Sequence, residues 1–444
     1  MEKLLLQKEN SEMDVLPVEL TATWKIKCWR LLSKLENTYK KENITYYKEI
    51  KTMMEFKITM KEMKDVVKKI EKSVMKKAAL PILETVLVKQ ENNQLAFIAS
   101  NMEEELHIYK NILVTGNDSF CIALDNLKKI VKLKADVITI TYDADDKKVL
   151  VSTGKKIVSF VSEWDITSFP LMDIKQPEET CFISRYTSFY EMMEKLSVYL
   201  EDADENYKAM TCYNFNIAKN RIVALDGHRI GVCNPSENIG KFNNDSELKE
   251  INLKRTFWIK LKNCIAKEVN GEQNVISMAS AENKTYITGN DFMMIVRNVD
   301  VMYFDVDGMI LNELDLMMVN ISTKELKESA EYNVTLYDKD HRKPMYMEFI
   351  GNCVMSYMKS QTEESFDRIT LTENGVDDGF MIGFNPRFIK DLCNGIDTEF
   401  ARMGFRNAKS PVMVYDGDFT YLVLPVNINE CDVSERIDKL MKVA

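Results

Sequence analysis

From Met54 onward, hydrophobic and polar positions follow one pattern that is written three times. The alternating stretch 55–59 reads as a strand. It runs into Met63, Val66, Val67, Ile70 and Val74, three or four residues apart, which predicts a helix over 61–75. Strands are expected at 82–90, 94–99 and 105–113, then a short helix over 123–131 and strands at 137–142, 149–152 and 157–162. The second half of this unit returns as a helix over 258–266 with strands at 275–279, 284–288 and 292–297. It returns again as a helix over 384–392 with strands at 401–405, 412–415 and 420–425, so these helices recur about every 130 residues. The stretches 189–200 and 322–328 match the 61–75 helix more loosely. Repetition at domain length predicts three similar domains, each a helix-plus-strands unit used twice. The fold class is α+β, with two helices per domain packed on antiparallel sheets.

Residues 1–53 stand apart. Leu20, Trp24, Cys28, Leu31 and Leu35 describe an amphipathic helix, and the segment is read either as an extra helix or as the product of an upstream start codon. The expected divisions are 1–53, 54–175, 176–306, 307–428 and a C-terminal extension, 429–444, holding a short helix.

Composition narrows the classes. With 45% apolar and 29% charged residues and no run of eighteen apolar residues, the chain reads as a soluble, cytoplasmic protein. Lys and Glu flank the short Leu4–Leu6 run, which is not a signal peptide. Nine cysteines without a C-x-x-C pair, and three histidines, point to reduced buried thiols; no metal and no cofactor is expected. Asp143, Asp145 and Asp146 lack the Gly and Glu of a calcium loop and read as a hairpin turn. The net charge of −10 argues on average against nucleic acid, although a local basic stripe outweighs an average.

One stretch carries candidate chemistry: Ile222-Val-Ala-Leu-Asp-Gly-His-Arg-Ile-Gly-Val-Cys233. Asp226-Gly227 favours a tight turn between two apolar runs and delivers His228 and Arg229 to the start of a returning strand. The trio could suggest a hydrolase, but no nucleophile elbow or metal motif accompanies it, and the reading is a hairpin edging a groove. The chain is not expected to be an enzyme.

An apolar strand entering Ala-x-Asp-Gly-His-Arg resembles the middle domain of the bacterial sliding clamp family, the β subunit of the replicative DNA polymerase. Ala79-Leu-Pro-Ile-Leu83, Ile382-Gly-Phe-Asn-Pro386 and Tyr421-Leu-Val-Leu-Pro-Val426 resemble further motifs of that family, in the right order, over residues 54–428. The resemblance implies the DNA-clamp fold: three clamp domains per chain, closed into a ring as a head-to-tail homodimer, helices inside and sheets outside. It implies a processivity factor that encircles duplex DNA regardless of sequence. Its partners would be the replicative DNA polymerase, a clamp loader and other proteins carrying a clamp-binding motif, with no membrane involved.

A sliding protein should face phosphates with Lys and Arg. Candidates are Lys68, Lys72, Lys76 and Lys77, then Lys128 and Lys132, then Lys262 and Arg387 on the later repeats. Tyr207 and Lys208 fall where the family keeps DNA-touching residues. The 189–200 helix departs from the stripe, with Glu191 and Glu194 against Lys195 and an acidic 201–205 behind it. The resemblance places a partner-peptide cleft between the middle and last domains. Its residues would be Met210, Leu225, Gly227, His228, Arg229 and Ile230, with Asn385, Phe388, Pro411, Leu422, Val423, Leu424, Pro425 and Val426. Two departures suggest altered specificity: Asn427 stands where the family has Arg, and Tyr303-Phe304-Asp305 where it has Phe-Pro-Asp. Glu12-Met-Asp-Val-Leu16 faintly resembles a cleft-binding peptide. The rival readings are a clamp-fold regulator or decoy that binds partner peptides without encircling DNA, and an enzyme using Asp226 and His228.

Overall fold

The computed structural model describes residues 53–175, 177, 179–201, 207–265, 274–337, 343–428 and 431–442. The helix expected from Leu20, the Glu12–Leu16 motif and most of the acidic 201–205 run lie outside the described residues.

The first domain runs β1 (Met53–Thr59), α1 (Met60–Ile70), β2 (Thr85–Glu91), β3 (Gln94–Ser100), β4 (Glu104–Lys110), β5 (Val114–Thr115), β6 (Phe120–Ala123), α2 (Leu124–Ile130), β7 (Val137–Asp143), β8 (Lys148–Ser152) and β9 (Ile157–Val161). The second repeats that order: β10 (Thr180–Arg185), α3 (Tyr186–Ser197), β11 (Cys212–Asn216), β12 (Arg221–Leu225), β13 (Arg229–Cys233), β14 (Gly240–Phe242), β15 (Glu250–Lys254), α4 (Thr256–Leu261), β16 (Val275–Ala281), β17 (Lys284–Thr288) and β18 (Phe292–Arg297). In the third, β19 (Met317–Ser322) and α5 (Thr323–Leu336) precede β20 (Met345–Ile350), β21 (Cys353–Lys359), the long β22 (Glu364–Asn374) and β23 (Phe380–Phe384). Then come α6 (Pro386–Asn394), β24 (Phe400–Phe405), β25 (Val412–Asp416), β26 (Phe419–Val423) and a final helix, α7 (Cys431–Met441). This is the α+β clamp architecture.

Local chemistry explains where two expectations shift. Helix α1 starts in a capping box, with Thr59 and Glu62 satisfying each other's backbone N–H groups, but it ends at Ile70 rather than 75. Lys72, Lys76 and Lys77 therefore sit in the loop beyond it. Pro81 opens a 3₁₀ turn over Pro81–Glu84, so the following strand begins at Thr85 and not at Ile82. The Asp143 turn forms as read: its carboxylate accepts the backbone N–H groups of Asp145 and Asp146.

The domains share sheets. β4 pairs antiparallel with β18, joining the first and second domains in one nine-stranded sheet. β13 pairs the same way with β26, joining the second and third in a twelve-stranded sheet. The helices form a row along one face over a continuous apolar core that includes Val66, Leu127, Phe189, Trp258, Leu326 and Ile389. On the other face, the segment leaving each domain covers its own sheet. Phe169 and Ile166 cover β2 and β3, while Val306, Ile310 and Leu311 cover β12 and β13.

Buried charge ties these junctions. At the second and third domains, Arg229 bonds Asp226 in its own turn (2.8 Å), Asp391 on α6 (2.9 Å) and the Val198 carbonyl after α3 (2.7 Å), stacked over Phe388. Lys195 bridges to Asp397 and Asp416 in the third domain. At the first and second, Lys69 and Lys110 share Asp291. Beside them on β4, His107 is fully buried, 2.7 Å from Glu105 and 3.1 Å from Glu91. Burial alone would lower its pKa; the bonds to Glu105 and Glu91 outweigh that and raise it above 6.5. The same contact pulls Glu91 down to about 2.

Two outcomes follow. Arg229→Ala strands Asp226 beside a domain junction and should cost about 2–3 kcal/mol in denaturant unfolding, below a fully buried pair because Asp391 is partly exposed. A loss under half of that would contradict the role given to Arg229. Stabilisation by charged His107 is complete below pH 6.5 and fades as pH rises through its higher folded pKa. Melting curves between pH 6 and pH 9 should therefore show a decline that His107→Gln flattens, and an unchanged slope would contradict the assignment.

Candidate peptide cleft and nucleic-acid interface

The cleft is built on the Asp226-Gly227 turn. The Asp226 carboxylate accepts the backbone N–H groups of His228 (2.9 Å) and Arg229 (2.7 Å), and Gly227 takes a φ of +81°, which suits glycine. The turn ends at the β13–β26 ladder, where Ile230 lies opposite Leu422. Together they floor a cavity of about 380 Å³ lined by Met210, Leu225, Gly227, His228, Arg229, Ile230, Pro411, Leu422 and Leu424. These are nine of the positions expected from sequence.

The other five lie elsewhere. Val423 is fully buried in the core opposite Arg229. Asn385 caps α6 through the Arg387 N–H. Pro425 and Val426 lie past the end of β26, and the Val426 N–H bonds Gly383. Phe388 sits at the rim, stacked on His228 with centroids 5.9 Å apart. The geometry also removes the hydrolase reading: the Asp226 carboxylate holds the turn and Arg229, and His228 stacks on a phenyl ring.

Sequence reasoning missed the far wall: Phe304, Gly308, Met309, Leu311, Arg406 and Ser410. The first four belong to the connector between the domains, whose path no local pattern announces. Arg406 is exposed and forms no ion pair among the described residues, whereas the Arg229 charge is neutralised internally. Arg406 is thus the open cation of the cleft. Leu424, Met309 and Phe304 carry the apolar surface to the mouth.

At the first junction, Tyr286 and Ile295 stand where Met413 and Leu422 stand, and Met172 of the connector packs onto them, its N–H bonded to Glu105. A cavity of about 420 Å³ lies to one side of that floor, lined by Glu91, Tyr109, Ile174, Pro177, Tyr286 and Met293 among others.

The basic candidates divide by pairing. Lys68, Lys72, Lys76, Lys77, Lys132 and Lys208 are exposed and bridge to no carboxylate among the described residues; Tyr207 is exposed as well. Lys128 pairs with Glu71 (3.2 Å) and Lys262 with Glu194 (3.4 Å), while Arg387 lies over the Tyr337 ring. Open positive charge therefore gathers at the end of α1 and the loop beyond it. On α3, the acids have local uses: Glu194 also accepts the Trp258 indole N–H (2.6 Å), and Glu191 pairs with Lys195. Cys121, Cys181, Cys212, Cys233, Cys264, Cys353 and Cys393 are buried and free, and burial pushes the Cys121 and Cys181 thiols up to about 11.

No family model matches the chain. It is similar to the β sliding clamp of Pseudomonas putida, 20% identical over 366 residues that cover 80% of this chain and 95% of the relative. Among solved structures it is similar to DNA polymerase III β subunit from Thermotoga maritima (TM-score 0.72, 22% identity) and to a DNA polymerase sliding clamp from Pseudomonas aeruginosa (TM-score 0.74, 18% identity). The first match covers 85% of this chain, the second 84%, and each covers the whole of the other. Motif order, threefold fold and sequence relatives agree: the chain has the fold of the bacterial β sliding clamps and is similar to them along most of its length.

Proposed function

We propose that this protein is a DNA sliding clamp. It closes head to tail with a second copy, encircles duplex DNA in the cytoplasm, and tethers the replicative polymerase and other proteins that carry a cleft-binding peptide. A clamp loader would open and close it. The domain limits near residues 175 and 306 fall within the connectors that follow β9 and β18, and the limit near 428 falls at the start of the tail. The work is topological: no bond is made or broken, and the open lysines beside α1 attract phosphates without fixing a register.

The observation that carries the reading is an unfinished third junction. Two junctions of one kind lie within the chain, each joining a β4-type strand to the last strand of the next domain. The two halves of a third are left at opposite ends. Among the described residues, β9 pairs only with β8, and Glu364–Thr370 of β22 pair only with β21. Exposed strand edges seek partners, and head-to-tail pairing that closes on itself satisfies both in a twofold ring. Ile157 on β9 is 69% exposed, which an edge meant for solvent would not favour. Ile157→Glu should turn a dimer into a monomer that still unfolds cooperatively; a variant that stays dimeric at the same concentration would contradict this closure.

The cleft suits a short apolar peptide carrying an acidic group toward Arg406. Arg406→Glu should weaken such a peptide about tenfold and leave an analogue with that acid replaced by amide nearly unchanged. Equal losses for both peptides in calorimetry would remove Arg406 from recognition.

A further inference from the structure

The final helix, α7, occupies a place the repeat leaves vacant. The outer sheet of the first domain is covered by the connector to the second, and that of the second by the connector to the third. The outer sheet of the third domain is covered by α7: Val433 and Ile437 pack on Cys353, Met355, Tyr357 and Met381.

We infer that α7 is part of the ring-closing interface, acting as the third connector and shaping the strand edge that a second copy of this chain must meet. The inference rests on the ring reading above. Three hairpins fix the register. Their innermost pairs are Ser100 with Glu105, Leu225 with Ile230, and Lys359 with Glu364, so Glu364 is the third-domain counterpart of Glu105 and Ile230. At the two internal junctions these residues face Ile295 and Leu422. The counterpart of those in the first domain is Ser159, since Leu150–Ser159, Tyr286–Ile295 and Met413–Leu422 are equivalent pairs. Ring closure therefore sets Ser159 of one copy opposite Glu364 of the other, and Ile157 opposite Phe366. Both of those third-domain residues are held by α7: Arg436 pairs with Glu364, which also accepts the Tyr357 hydroxyl, and Phe366 packs in the cluster beneath the helix. The exposed Ile157 arrives on this same face and gains an apolar neighbour there. The ion pair itself is exposed and contributes little; the apolar cover is what holds Phe366 and the edge in shape.

The test compares the dimer dissociation constant of the full chain, by sedimentation, with that of a chain ending at Ile428 and of the full-length variant Ile437→Asp. Both should still unfold cooperatively, and both should weaken the dimer about tenfold or more. Dissociation constants within twofold of the full chain, from cooperatively folded variants, would overturn the role of α7. A full chain that is itself monomeric would instead overturn the ring reading, so the two failures are distinct.

Discussion

The structure depends on backbone ladders that run across domain boundaries. β4 with β18, and β13 with β26, turn three domains into two shared sheets and one apolar core, so the domains cannot rotate freely as beads on linkers would. Main-chain hydrogen bonds set spacing and direction, and the buried Arg229 with the half-buried Lys195, Lys69 and Lys110 fix the angle at each joint. Two joined junctions, with β9 and the first part of β22 left free to make a third, are what a closed ring requires.

The same repeat explains why the two junctions open differently. Equivalent residues form both floors, but the first connector lays Met172 on its floor, whereas the second stands back and leaves Phe304, Met309 and Leu311 as a wall. Binding capacity thus comes from how a connector is routed over a conserved geometry. The cavity is assembled from two domains and the segment between them, and the open charge on its wall is Arg406.

Much of this was legible in the sequence because strand alternation, helical spacing and the Asp226-Gly227 turn are local signals. The threefold repeat made them mutually supporting, and motif order supplied the family. What escaped were properties set by tertiary routing. Pro81 converted the start of an expected strand into a 3₁₀ turn, and the cap at Thr59 could not show that α1 stops at Ile70. Val423 looked like a cleft residue because it lies in the right strand, but alternation turns its side chain into the core. The lysine stripe looked uniform in sequence; ion pairs with Glu71 and Glu194 separate Lys128 and Lys262 from the open group around Lys76.

The measurement that bears most directly on the account is retention of loaded protein on DNA circles, before and after a single cut. With a clamp loader supplied, the protein should stay on closed circles through a high-salt wash and leave once the circle is linearised, because only topology then holds it. Equal retention on circular and linear DNA, or loss from both in salt, would mean that charge rather than encirclement makes the contact, and would contradict the sliding-clamp function.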